Sequence, residues 1–265
     1  MSDTEGAYLR RTLSGAQYVE YINSLESDRL ARAAFHSLVL RTAPPGGALF
    51  DFGAGPGIDA RFFAERGFTV TAYDVDPRMR TYFAEHCQDF IDSGRIALLD
   101  GGYREFVSSG PVNIADLVIS DFAPLNLVDD LPELFAKFHA ITGSGGKVVA
   151  SVLNPFFIRE MRSRWWWRVA PQLWRDGELF MPGPQAPHYR RRIERFAQVS
   201  APHFRLTRVF AGLPSAGKRH SNGIDPARRG PWGWLRTARA QYLFLLFEKS
   251  QSRPSVTDGG APTRD

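Results

Sequence analysis

Asp51-Phe52-Gly53-Ala54-Gly55-Pro56-Gly57 is the stretch that decides how this chain is read. Three glycines at alternate positions strip the Cβ atoms from a bend and permit left-handed backbone. The bend follows a short apolar run, Ala48 to Phe52, which reads as a buried strand. It opens a helix over residues 57–66 with Phe62 and Phe63 facing inward and Gly67 as its stop. A second strand, Phe68 to Tyr73, leads to Asp74, 21 positions after Gly53. A glycine bend at a strand's carboxyl end, beside a helix N-terminus, is where α/β sheets bind ligands. A carboxylate at that spacing suits ribose hydroxyls.

The alternation extends outward in both directions. Upstream, Leu30, Ala33 or Ala34, Leu38 and Val39 predict a helix from Ser27 that ends before Pro44. Downstream, Asp76 and Pro77 are an N-cap and first-turn pair. Strands follow over Ile96–Leu99, Ala115–Ser120 and Lys147–Val152, with a helical stripe of Leu131, Leu134, Phe135, Phe138 and Ile141 before the last of them. The rhythm breaks after Val152 and resumes at 204–210 and 241–248. This is the pattern of a parallel α/β sheet with right-handed crossovers. The expected organisation is an arm over 1–27, one domain over 28–250 with an insertion at about 154–203, and a disordered tail over 251–265.

The bend itself discriminates among nucleotide ligands. The dinucleotide fingerprint needs Gly or Ala where Ile58 stands, and no Gly-Lys-Ser/Thr follows to make a P-loop. An acidic residue followed by Gly-x-Gly-x-Gly resembles instead the first motif of class I S-adenosylmethionine-dependent methyltransferases. That resemblance covers residues 28–155 and the closing strands. It implies a Rossmann-like fold, a seven-stranded, mostly parallel sheet of order 3-2-1-4-5-7-6 with helices on both faces, and S-adenosylmethionine as cofactor. By the same resemblance Gly53, Gly55 and Gly57 line the methionine portion of the cofactor, Asp51 helps fix the loop, Ala54 belongs to the same cofactor-binding stretch, Asp74 holds the ribose and Val75 lies beside the adenine. Asp100 and Gly101 correspond to the position near the adenine amine. Asp121 and Phe122 lie in the loop after the fourth strand, with Asn126 towards the substrate. That loop departs from the Asn/Asp-Pro-Pro-Tyr signature of amino-directed nucleic-acid methyltransferases, because Phe122 and Ala123 replace the prolines. Base N-methylation is therefore disfavoured.

Charge divides the chain into two zones. Residues 1–155 carry 13 Lys/Arg against 20 Asp/Glu, whereas residues 156–240 carry 17 against 5 and contain all six tryptophans. A basic zone of this kind attracts acidic substrates, anionic lipid or nucleic acid. On a helix, Trp165, Trp166 and Trp167 would fan over about 200°, so one apolar face cannot bury all three. Trp165, Trp166 and Tyr189 are accordingly candidate substrate contacts, and the interleaved arginines suit an anionic membrane surface as well. A second cluster of arginines and tryptophans occupies residues 228–236. The single cysteine, Cys87, excludes an internal disulfide and a cysteine-based zinc cluster, and no metal site is expected. The longest apolar run, Tyr242 to Phe247, is too short to span a bilayer, and no secretory signal opens the chain. The expectation is a cytoplasmic protein, peripheral at the inner face of a membrane if the basic zone binds lipid.

A sulfonium donor is already activated, so the protein's task is alignment and exclusion of water, and a general base is needed only where the acceptor must lose a proton. Asp121, His139, His188 and His203 are the candidates for that base. The favoured reading is methyl transfer to oxygen or carbon of an apolar small molecule of lipid-, quinone- or polyketide-like kind, with an acidic one also suited. An RNA methyltransferase gripping phosphates through the basic zone, and a non-catalytic cofactor-binding scaffold, are the competing readings.

Overall fold

The computed structural model describes residues 15–110, 114–182, 187–212, 223–226 and 237–250. The arginine and tryptophan cluster of 228–236, the tail from 251 and the first fourteen residues lie outside them. In chain order the strands are β1 (Ala48–Phe52), β2 (Thr69–Tyr73), β3 (Ile96–Leu99), β4 (Ala115–Ser120), β5 (Thr142–Leu153), β6 (Glu178–Met181), β7 (His188–Arg191), β8 (Phe204–Ala211) and β9 (Tyr242–Lys249). The helices are α1 (Gly15–Ser24), α2 (Glu26–Thr42), α3 (Ile58–Ala64), α4 (Pro77–His86), α5 (Gln88–Asp92), α6 (Tyr103–Ser108), α7 (Leu131–Ile141), α8 (Ile158–Met161), α9 (Arg164–Asp176) and α10 (Ile193–Ser200), with a 3₁₀ turn at Pro124–Asn126.

Seven strands form one sheet in the order β3-β2-β1-β4-β5-β9-β8. The inserted segment contributes a separate hairpin, β6-β7, ahead of the last two strands. Counting only strands of the main sheet, the order is the expected 3-2-1-4-5-7-6. β9 runs antiparallel to both neighbours and the other pairings are parallel. Within the described part of the arm, α1 precedes α2. One expectation needs correction. The buried face of α2 keeps the expected Leu38 and Val39, but Asp28, Ala31, Phe35 and His36 fill the rest of it, leaving Leu30 exposed.

Period-2 alternation in the strands builds two cores. Phe50 and Phe52 of β1 pack with Phe106, Phe135, Phe138 and Phe247 on one face. Leu49 of β1 packs with Phe35, Phe63, Leu117 and Ile119 on the other. Asp51 follows Phe50 and so shares the second face with Leu49, and Asp121 continues the Leu117–Ile119 row in the same sense. Two carboxylates thus reach one side of the sheet at the carboxyl ends of neighbouring strands. Each fully buried Phe contributes about 1.5–3 kcal/mol, so these cores hold the strand ends firmly.

The insertion is fastened over those ends by polar contacts. Arg191 is almost wholly buried; its guanidinium donates to the carbonyls of Leu125 (2.9 Å) and Val128 (2.7 Å) and pairs with Glu178 (3.0 Å). Asn126 donates through Nδ2 to the Tyr189 carbonyl (2.6 Å) and accepts from the Leu153 amide (3.0 Å). Asn154 donates to the carbonyls of Thr237 and Ala240, and the Trp166 indole donates to the Pro155 carbonyl. Arg191→Ala leaves two buried carbonyls unpaired, and we expect it to destabilise the fold by about 3 kcal/mol. Urea unfolding measures that loss. Limited proteolysis should show cleavage concentrated in residues 154–192.

Candidate active site

The bend between β1 and α3 has a reason for each glycine, and the reasons differ. Gly53, Gly55 and Gly57 all have positive φ (+76°, +53° and +84°), a region costly for residues with a Cβ. A Cβ on Gly53 would lie 2.5 Å from Pro124 Cγ, and one on Gly57 would lie 2.8 Å from Cys87 Sγ and Phe83 Cδ2. Only at Gly55 would a Cβ point into open space. At Gly53 and Gly57 the missing Cβ makes room for the protein's own packing, and at Gly55 it leaves open space.

Asp74 closes onto this bend. Its Oδ2 accepts from the Gly55 amide (2.7 Å) and its Oδ1 from the Asp76 amide (2.8 Å). An ionised carboxylate has about four lone-pair sites, so acceptor capacity remains for a ligand's hydroxyls. Val75, beside it, is 57% exposed, unusual for Val next to a buried strand end. Arg80 braces the neighbourhood: Nη1 donates to the carbonyls of Asp74 (2.8 Å) and Val75 (3.1 Å), and Nη2 pairs with Asp100 (2.9 Å). Asp100 also accepts from the Gly101 amide, so it lies at the rim, joined to β2 by that guanidinium.

Behind the bend four carboxyl groups converge: Asp51, Asp59, Asp74 and Asp121, all buried. Asp59 is compensated, with Arg32 Nη1 at 3.0 Å and His36 Nε2 at 2.6 Å from one oxygen. Despite its burial, those two neighbours hold its pKa below the ordinary carboxylate value. Asp51 and Asp121 are not so compensated. Each has a buried oxygen, Oδ2, with no hydrogen-bond partner among the described residues. Burial pushes both pKa values well up, and the charge of Asp59 raises both further. Burial also raises Asp74, against the pull of its two amide donors.

The loop after β4 is strained in the same place. Phe122 and Ala123 are consecutive non-glycine residues in left-handed conformation, with φ of 57° and 67°. Such strain persists only where surroundings over-determine it. Here the Asp121 carboxylate accepts from the Phe122 amide (2.8 Å), Arg32 lies over the Phe122 ring (4.6 Å) and Tyr242 meets that ring edge-on (5.4 Å).

Other expected site residues fall elsewhere. His139 and His203 lie 5.1 Å apart by ring centroids, next to the start of β5, the start of β8 and the end of β9. That is the opposite end of the strands from the bend, so neither is placed to serve as a base. Asn126 is fully buried and committed to two backbone partners, which makes it a fastener of the insertion. Trp166 is buried as an anchor, whereas Trp165 stands on the outer side of α9. Tyr189 sits under the Arg191 guanidinium (4.0 Å), and His188 is half-buried in the same hairpin. Arg32, His36, Asp59 and Arg80 were not anticipated. The only sequence signal for the first two is their spacing of four on α2, one helical turn.

The arrangement suits a ligand that is cationic at one end, hydroxyl-bearing in the middle and apolar at the other. Among the described residues no group of three or more His, Cys, Asp or Glu side chains has the arrangement to hold a metal ion, and no helix is long and apolar enough to cross a membrane. A family model described as a methyltransferase domain matches residues 20–179. The chain is 30% identical over 132 residues to malonyl-[acyl-carrier protein] O-methyltransferase of Serratia marcescens, a match spanning 48% of this chain and 47% of that protein. Among solved structures, an S-adenosylmethionine-dependent methyltransferase of Mesorhizobium loti superposes with a TM-score of 0.58 at 18% identity, covering 81% of this chain and 97% of that one. The 1,6-didemethyltoxoflavin-N1-methyltransferase of Burkholderia thailandensis, solved with 1,6-didemethyltoxoflavin and S-adenosylhomocysteine bound, gives 0.56 at 17%, covering 95% and 92%. At these identities the two structures establish the fold.

A carboxyl group whose pKa is higher in the folded than in the unfolded chain binds protons preferentially in the fold. Stability then falls as pH rises from the ordinary carboxylate value through the raised one. Asp121→Asn removes that liability and keeps the Oδ1 acceptor for the Phe122 amide. We expect its thermal midpoint at pH 7 to exceed wild type by roughly 2–4 °C per kcal/mol gained, the advantage shrinking towards pH 4. Calorimetry at both pH values decides; an equal or lower midpoint at pH 7 would mean that Asp121 is already compensated.

Proposed function

This chain belongs to the methyltransferase-domain family, and from that premise we propose that it transfers a methyl group from S-adenosylmethionine to oxygen or carbon of an apolar small molecule, acidic ones included. The observation that carries the cofactor assignment is the pair of buried, unpartnered carboxylate oxygens on Asp51 and Asp121 beside an open glycine bend. In a buried site such oxygens favour a cation, and the methionine portion of this cofactor carries an ammonium and a sulfonium. Gly55 leaves space for its close approach, Asp74 offers acceptors to the ribose, and exposed Val75 offers an apolar face to the adenine. Asp100 and Gly101 border the same end through Arg80.

Bound there, S-adenosylmethionine supplies an already activated methyl group. The chain's own contribution is then orientation and the exclusion of water. The glycine bend and Asp74 fix one reactant, while the strained Phe122–Ala123 turn presents its backbone on the acceptor's side. The insertion, held down by Arg191, Asn126 and Trp166, closes over the carboxyl ends of β4 and β5. Where the acceptor must lose a proton, Asp121 is the candidate at the correct end of the sheet, and its raised pKa suits it to hold one. Oxygen as acceptor and tolerance of an acid are supported by the Serratia relative, named for O-methylation of a malonyl group, although the match covers only about half of each chain.

Asp74→Ala should lower affinity for S-adenosylmethionine about 10- to 100-fold, the usual effect of losing charge-assisted hydrogen bonds, while far-ultraviolet circular dichroism stays native. Isothermal titration measures the loss; unaltered affinity would remove Asp74 from the cofactor site. For the acceptor, cell extract incubated with methyl-labelled cofactor and the full chain should yield a labelled small molecule identifiable by mass. Label confined to RNA would overturn the small-molecule reading. Cofactor binding with no labelled product would reduce the chain to a cofactor-binding scaffold.

A further inference from the structure

The outer half of α9 takes no part in the site. Trp166, Ala170 and Leu173 are buried and fix this helix to the protein along one side. At 3.6 residues per turn, the opposite side carries Arg164, Arg168 and Arg175 within an arc of about 40°. Trp165 flanks this arginine row on one side, and Trp167 with Trp174 on the other, together spanning about 180° of the helix surface. The three indoles are 42%, 61% and 60% exposed. Arg175 is paired with Asp176 (2.7 Å). Arg164 and Arg168, with Arg159 and Arg162 just upstream, have no acidic partner among the described residues. Phe180 on the adjoining β6 and Ile158 at the start of α8 are also exposed.

A soluble surface gains nothing from three exposed indoles around unpaired guanidinium groups, because exposed large apolar patches mark interaction sites. The geometry points to the occupant. Trp165 and Trp167 diverge by about 160°, so one nucleic-acid strand cannot stack on both. With the arginine row laid on a flat surface, Trp165 stands on one flank of the helix and Trp167 with Trp174 on the other, each about 80–100° from the row's centre and so at the level of the helix axis. Indoles favour the headgroup level of a bilayer, and guanidinium groups pair with lipid phosphates. We propose that the outer face of α9, built from Arg164, Arg168, Trp165, Trp167 and Trp174, docks the protein on the surface of an anionic lipid bilayer, the helix lying in the plane of the headgroups. The docking does not depend on methyl transfer, and the cofactor site is built from other elements.

The test is co-sedimentation of the full chain with vesicles of phosphatidylcholine alone or with about one-third phosphatidylglycerol. We expect pelleting with the anionic vesicles only, weakening as salt rises from about 0.1 to 0.5 M because the attraction is screened. Each arginine near an anionic surface strengthens partitioning about fivefold, so Arg164→Gln with Arg168→Gln should weaken it about 25-fold. Trp167→Ala with Trp174→Ala, at side chains outside the core, should weaken it too while the thermal midpoint stays near wild type. Asp74→Ala protein should still pellet, which separates this result from the fate of the methyltransferase reading. Absence from the anionic pellet overturns the proposal, as does pelleting unaffected by either double variant. Retention of single-stranded RNA without vesicle binding also overturns it and assigns the face to nucleic acid.

Discussion

Two carboxylates placed side by side at the ends of β1 and β4, without enough positive charge around them, set the conditions for everything else in this site. Asp51 and Asp121 reach the same face of the sheet through strand alternation. Among the described residues, the nearby Arg32 guanidinium and His36 imidazole both bond to Asp59, and Arg32 only partly offsets the burial of the other two. Burial raises both pKa values, so each group gains either by holding a proton or by meeting a cation. A cationic ligand that displaces those protons lets the carboxylates ionise against it, which is the common trade between stability and function at active sites.

Strain in the neighbouring backbone follows the same logic. Two left-handed non-glycine residues at Phe122 and Ala123 together cost a few kcal/mol, and they are held by contacts from three directions: an amide bond to Asp121, a guanidinium over the ring and a tyrosine at its edge. Arg32 therefore serves both the carboxyl cluster and the strained turn. The insertion is held as rigidly. Arg191 and Asn126 bind its hairpin to backbone that follows β4 and closes β5, so the elements that would face the two reactants form one packed unit.

The charge division along the chain acquires a spatial meaning in the fold. Four of the 20 acidic residues of the first part, Asp51, Asp59, Asp74 and Asp121, are buried behind the glycine bend, where they suit a cationic cofactor. Basic residues of the insertion separate by depth. Arg191 is consumed in packing and Arg190 in a pair with Glu160 (2.8 Å), while those of α9 remain on the outside between exposed indoles. The count of 17 basic residues over 156–240 could not distinguish a buried fastener from a surface one.

The amino-acid sequence by itself determined the sheet, its alternation with helices, the bend at 51–57 and Asp74 at its edge, because these rest on local signals: apolar periodicity, glycine in turns and a fixed spacing between consecutive strands. Only the tertiary structure decided what each of those residues faces. Gly53 and Gly57 make way for Pro124, Phe83 and Cys87, which are between 26 and 71 positions away in the chain, and no local pattern encodes that approach. Asp51 and Asp121 look unrelated in sequence and become neighbours, the charge of Asp121 acting on Asp51, because β4 is laid beside β1. His139, well placed by type, is removed to the far end of the strands by the direction of α7. Long-range packing chose among candidates that composition and spacing had left equal.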